Sequence, residues 1–178
     1  MTRKKLKIGK YLKIASGFSI LEVVIAIFII TMGLVGILSL VELNLKANYI
    51  NKNNLIASML AQEGLELVRN KRDYNFKNGL AFDANIAAGT YAIDPENMTA
   101  VTGGISDPAA RLKYNTAGYF CHGNWSGGLT CNGANSPFSR LLTITKTGGY
   151  LNVRCQVRYS KGNSNYEYAV QNQLYDWK

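Results

Sequence analysis

Three hydrophobic rhythms succeed one another along the chain. From Phe18 to Val41, 24 residues carry only Ser19, Glu22, Thr31 and Ser39 as polar interruptions. At 1.5 Å rise per residue such a run makes roughly 36 Å of helix, enough to span a bilayer. Helix-compatible residues then continue without a proline from Glu42 through about Asn70. Tyr49, Ile56, Leu60, Gly64, Leu67 and Val68 recur at three- and four-residue steps, whereas Lys46, Lys52, Glu63 and Glu66 mostly fall elsewhere, which predicts an amphipathic second half lying on a globular head. The alternative is a break at Asn51 to Asn54, where helix propensity is weak. The third rhythm has period two. Leu151, Val153, Cys155, Val157 and Tyr159 alternate with Asn152, Arg154, Gln156 and Arg158, the signature of a half-buried strand.

Flanking segments extend that strand into a predicted three-stranded antiparallel meander. Arg140 to Lys146 is rich in Leu, Thr and Ile, and Thr147-Gly148-Gly149 supplies a tight turn. Ser160 to Asn165 is turn-forming, and Tyr166 to Tyr175 makes a third strand with Tyr168, Val170 and Leu174 on one face. The apolar face of the meander is expected to pack on the helix stripe. Between helix and meander, Tyr74 to Pro137 is rich in Gly, Asn, Ala and Ser and shows little periodicity. Short strands are plausible there at Gly89 to Ile93 and Ala117 to Phe120. Tyr74, Phe76, Phe82, Tyr91, Tyr114, Tyr119, Phe120 and Trp125 offer apolar burial, so composition does not mark the region as disordered. The expected class is α+β, one long helix on an antiparallel sheet. The expected division is a leader at 1–17, a membrane helix at 18–41, an amphipathic helix at 42–72 and a β-rich head at 73–178.

Charge adds a topology. Arg3, Lys4, Lys5, Lys7, Lys10 and Lys13 precede the apolar run with no acid among them, which holds that end in the cytoplasm. The whole chain of 178 residues has 20 Lys and Arg against 11 Asp and Glu. Without those six basic residues the balance is 14 against 11, so the net charge falls from +9 to +3. The basic character is therefore mostly a signal of orientation. Past residue 17 the only tight basic cluster is Arg69, Lys71 and Arg72, and no specific nucleic-acid partner is indicated.

A secretory signal peptide also starts with a basic region and an apolar run. Its apolar region spans about 7 to 15 residues and is followed by a small-residue cleavage site. Here the run is longer, and the attractive small-residue site, Ser16-Gly17, precedes it. An uncut anchor accounts for length and charge but not for Glu22. A carboxylate within an apolar span costs about 2.5 to 3.5 kcal/mol on insertion scales, so it is a functional hypothesis that needs a partner.

Gly17-Phe18-Ser19-Ile20-Leu21-Glu22, followed by the unbroken apolar run, resembles the class III signal of type IV pilins and of the pseudopilins of type II secretion. The resemblance implies a long helix packed on an antiparallel sheet, cleavage after Gly17 by a membrane-embedded aspartyl prepilin peptidase, and N-methylation of the new terminus, Phe18. It implies that Glu22 pairs with the Phe18 amine of a neighbouring subunit as a filament assembles. It further implies as partners the peptidase, other pilins, an inner-membrane assembly platform and membrane lipid, with the head outside the cytoplasm. Ala61-Gln62-Glu63-Gly64-Leu65-Glu66-Leu67-Val68-Arg69-Asn70 and the ending Leu174-Tyr175-Asp176-Trp177-Lys178 resemble segments of minor pilins known as type IV pilus modification proteins. Taken alone, the first of these is also an ordinary solvated helix face. Many major pilins carry a proline in the membrane helix where Ser39 stands here, which favours a minor or pseudopilin-like subunit. Gly33 and Gly36 suit close approach or bending of such a helix. The reading from a different class is an uncleaved, membrane-anchored extracytoplasmic binding or sensor domain.

Three cysteines remain to be placed. Cys121 and Cys131 lie ten positions apart across a Gly-rich loop, and Cys155 falls on the inward face of its strand. A Cys121–Cys131 disulfide is the first choice, stabilising by about 3 kcal/mol, with the other pairings open. A zinc site from Cys121, His122 and Cys131 would combine adjacent ligands with a missing fourth, a poor tetrahedron. With one histidine and no paired carboxylates at suggestive spacing, neither a catalytic triad nor a metal hydrolase can be assembled from the sequence. Gly103-Gly104 and Gly127-Gly128 lack the Lys-Ser/Thr of a phosphate loop, so no cofactor is indicated.

Overall fold

The computed structural model describes residues 17–95, 97–123 and 130–176. The basic leader up to Ser16, Trp125, Gly127-Gly128 and the closing Trp177-Lys178 lie outside the described residues. The chain is α+β, with one helix, α1 (Ile20–Lys77), and a seven-stranded antiparallel sheet. It divides into two compact units, one ending at Ala47 and one running from Asn48 to Lys178.

In the first unit α1 is exposed throughout, its apolar side chains included. Polar groups within it turn back on their own backbone. Thr31 Oγ1 donates to the Phe28 carbonyl (2.8 Å) and Ser39 Oγ to that of Val35 (3.1 Å), so neither hydroxyl faces an apolar surround unbonded. Beyond their chain neighbours and the adjacent helix backbone, nothing among the described residues lies within 4 Å of where a Cβ would stand on Gly33 or Gly36.

In the second unit α1 runs on through Asn51–Asn54 without interruption. Tertiary contacts override the weak propensity there: the buried Tyr159 hydroxyl, with its one proton, lies within hydrogen-bond reach of Asn54 Oδ1 (2.8 Å) and of the Ile50 carbonyl (3.3 Å). The helix also extends past the expected end at residue 72, because Arg72 and Asn75 are buried and no breaker occurs before Asn78-Gly79. Gly79, at φ 68°, closes it as a left-handed cap, with Leu80 N–H donating to the Asn75 carbonyl (2.9 Å).

The helix face that meets the sheet is Asn53, Ala57, Leu60, Ala61, Gly64, Val68, Arg72 and Asn75. Of the expected stripe, Leu60, Gly64 and Val68 are buried, Ile56 and Leu67 are half-buried, and Tyr49 is exposed, its ring capped by Lys161 Nζ at 4.0 Å from the centroid. The stripe is therefore rotated toward small residues. Ala57, Ala61 and Gly64 let the helix backbone come down on the strands, an outcome that counting large apolar side chains could not give.

The sheet is built around the expected meander: β5 (Asn135–Thr147), β6 (Tyr150–Lys161) and β7 (Ser164–Tyr175). Its turns are tight, with Gly149 at φ 93° and Gly162 at φ 58° supplying the left-handed backbone. The Tyr74–Pro137 stretch contributes β1 (Gly89–Ile93), β2 (Met98–Ala100), β3 (Arg111–Tyr114) and β4 (Phe120–Cys121). β1 and β3 share the far side of β5, facing its second and first halves respectively, and β2 and β4 flank them. The strand expected at Ala117–Phe120 is shifted to Phe120–Cys121. Asn115 Oδ1 accepts from the N–H of Ala117 (2.9 Å) and of Tyr119 (2.8 Å), folding that stretch into a turn instead.

Leu151, Val153, Cys155, Val157 and Tyr159 of β6 and Phe138, Leu142 and Ile144 of β5 form the main core with Ala57, Leu60, Ala61 and Val68 of the helix. A second cluster, Leu141, Ala92, Val101 and Ala110, covers the other face. β7 pairs only with β6, and of Tyr168, Val170 and Leu174 only Leu174 is buried, as befits an edge strand.

Candidate functional site

The N-terminal residues of the described chain present the first candidate. Gly17, Phe18 and Ser19 precede the helix, Phe18 is 80% exposed, and apart from its chain neighbours no atom among the described residues stands within 4 Å of a Cβ placed on Gly17. The Ser19 carbonyl accepts from the N–H of Glu22 (3.0 Å) and of Val23 (3.2 Å), so the first turn starts at once. Glu22 sits in that turn, where the positive end of the helix dipole favours an acid. It has no hydrogen-bond or ion-pair partner among the described residues. An exposed carboxylate thus stands on a helix long and apolar enough to cross a membrane.

The second candidate was not legible in the sequence as a site. Arg140 stands in the inward series Phe138, Arg140, Leu142, Ile144, and its side chain is only 1% exposed. Nη2 donates to the Ile93 carbonyl (2.6 Å) and Nη1 to the Leu60 carbonyl (3.4 Å). Glu63 Oε2 (3.1 Å from Nη1) and Asp94 Oδ1 (3.7 Å from Nη2) balance its charge. A buried guanidinium held this way ties the helix, β1 and β5 together. Its Nε is buried with no partner among the described residues. The signal available beforehand was a lone cation in the inward register of a strand.

Asp94 extends this network to the disulfide loop. Its side chain is 2% exposed and accepts from the backbone N–H of His122 (2.9 Å) and of Gly123 (2.6 Å). Burial works to raise its carboxyl, but the His122 ring and these N–H groups outweigh it and hold the carboxyl below the ordinary aspartate value. His122 Nδ1 lies 3.2 Å from the Ile93 carbonyl and Nε2 lies 3.2 Å from the Ala110 carbonyl. Cys121 and Cys131 are bonded to each other, with Cα atoms 6.0 Å apart. Both sulfurs are thereby spent and the histidine faces carbonyls and a carboxylate, which removes the Cys121, His122, Cys131 zinc alternative. Among the described residues no group of three His, Cys, Asp or Glu side chains could hold a metal.

Cys155 is a free, buried thiol, pushed by burial up to about 12, so it is neither a nucleophile nor a ligand in this state. The basic cluster on α1 is engaged: Arg69 pairs with Glu66, and Arg72 is buried against Asp73 Oδ1 (2.7 Å from Nη2). The head network is a structural clamp, whereas the N-terminal segment has the exposure a processing and assembly site requires. Comparison with protein-family models, curated proteins and solved structures returned no match.

Proposed function

We propose that this chain is a minor pilin or pseudopilin, a structural subunit of a type IV pilus or related filament. In this reading a prepilin peptidase cuts after Gly17, Phe18 is N-methylated, and the apolar half of α1 holds the subunit in the membrane, with the head outside the cytoplasm. An assembly platform then transfers the helix from lipid into a bundle of pilin helices. The observation that carries this is Glu22, a carboxylate with no partner among the described residues, in the first turn of the exposed apolar half of α1 and four residues after Phe18. A lone carboxylate is unfavourable in lipid, while one facing a neighbour's N-terminal ammonium inside a bundle is compensated. The helix itself satisfies its hydroxyls internally, so Glu22 is the group that gains a partner on assembly.

Glu22→Ala tests the pairing. The substitution removes a charge from the span, so membrane insertion is expected to be retained, while recovery in sheared filaments is expected to fall to background. Equal filament recovery of wild type and variant would remove the assigned role from Glu22.

A further inference from the structure

We propose that the sheet face opposite the helix carries a binding groove for a hydroxylated organic anion, of the chemistry of a uronate saccharide. The groove runs across β3, β5 and β6 beneath the short helical turns at Gly104–Ser106 and Pro108–Ala110. Strand register builds its floor. Arg111 pairs with Ser139, and Ser139 pairs with Arg158, so one row across three strands reads cation, hydroxyl, cation. Leu112, between Arg111 and Lys113, is buried in the main core, which puts both cations on the opposite face. With strands about 4.8 Å apart, Arg111 and Arg158 stem from points roughly 10 Å apart, and the small Ser139 leaves the space between them open.

The cations differ in readiness. Arg158 is held in place at the groove, Nη1 donating to Ser106 Oγ (2.9 Å) and Nη2 to Glu167 Oε2 (3.2 Å), bonds that use two of its five N–H donors. Arg111 is exposed and has no hydrogen-bond or ion-pair partner among the described residues. Lys113 adds a third charge at the same end. The acid at the rim, Asp107, is occupied: its oxygens accept from the N–H of Gly103 (3.0 Å) and of Ala109 (2.9 Å).

The lining selects the ligand. The backbone positions of Arg111 and Arg158 lie two strand spacings apart with Ser139 between them, which leaves room for a ligand longer than a single inorganic oxyanion. A carboxylate on a sugar ring can seat bidentately on Arg111 and lay its hydroxyls over Ser139 toward Arg158, with the Ser160 Oγ to Asn165 Oδ1 pair (2.7 Å) offering further neutral contacts. Among the described residues no aromatic side chain lines the groove, which offers no stacking platform for nucleic-acid bases there. The site belongs to the head alone and stands whether or not the chain is cleaved or assembled.

The test is calorimetric titration of the full chain, in non-ionic detergent at low salt, with a linear trimer of galacturonate. Saturable binding that weakens with salt is expected, with about tenfold loss for Arg111→Gln, partial recovery for Arg111→Lys, and no change for Arg154→Ala, which lies on the same face outside the groove. A melting temperature unchanged by Arg111→Gln separates loss of the site from loss of the fold. Three results overturn the proposal: no binding, equal binding of neutral maltotriose, or indifference to Arg111→Gln. Tighter, Arg111-dependent binding of inorganic phosphate or of duplex DNA also overturns it, in favour of a phosphate site.

Discussion

Gly64 and Cys155 meet so closely that a β-carbon on the glycine would stand 2.5 Å from the cysteine Sγ, well inside van der Waals contact. The helix backbone is thus laid directly on β6 at this point. Gly64 is held there by the space available and not by its backbone angle, since it lies within regular helix.

Gly64→Ala sets two effects against each other. Alanine favours helix by about 1 kcal/mol, but overpacking a core costs about 1 to 3 kcal/mol, and the buried Cys155 Sγ must shift to make room. Net destabilisation of up to about 2 kcal/mol is expected in urea melts of the detergent-solubilised chain. Cys155→Ala in the same chain removes the clashing sulfur, so the double variant is expected to be more stable than the sum of the singles. Additive or stabilising behaviour of Gly64→Ala would show that the helix does not sit on Cys155.

How much of this was legible can be judged on the same contact. The period-two alternation of β6 gave the inward face correctly, because each large apolar residue there is buried for its own sake. The helix stripe was read through Tyr49, Ile56, Leu60, Gly64, Leu67 and Val68, of which Leu60, Gly64 and Val68 are buried, whereas the sheet also selected Ala57 and Ala61 and left Tyr49 exposed. Close approach rewards small residues, and they leave no hydrophobic signal. Arg140 was hidden for the converse reason, since a cation carries no apolar signal and its partners Glu63 and Asp94 come from distant segments. The short strands β2 to β4 have two to four residues each, too few to establish a period. The Gly17–Glu22 segment, by contrast, could be proposed as a processing signal from sequence because its residues are contiguous.

Asp94 makes stability fall on the acid side. Its folded carboxyl is held below the ordinary value of 3.8, so its contribution is fully present above that value and is lost as pH falls through the lower folded one. Asp94→Asn is expected to lower the melting temperature at neutral pH, where Arg140 and His122 lose a buried anion, and to reduce the further loss below pH 3.8. A parallel pH profile for wild type and variant would mean that Asp94 carries none of the acid dependence.

Reducing the Cys121–Cys131 bond should matter beyond its loop, because that loop brings the His122 and Gly123 N–H groups to Asp94. Loss of about 3 kcal/mol is expected from the chain-entropy effect, observed as a lowered urea midpoint in dithiothreitol. Cys155, buried and with its thiol pushed up to about 12, should react with a maleimide only after unfolding. Labelling of Cys155 in the native, oxidised protein would contradict its place in the core.

The most direct measurement is the mass of the N-terminal peptide from the membrane-embedded or filament-borne protein, taken alongside Gly17→Val. The expected wild-type peptide begins at Phe18 and carries one added methyl group on its amine, while Gly17→Val accumulates as the uncut precursor because the residue before the scissile bond must be small. A wild-type chain that still carries the residues before Phe18 in that material would contradict the assignment as a processed filament subunit.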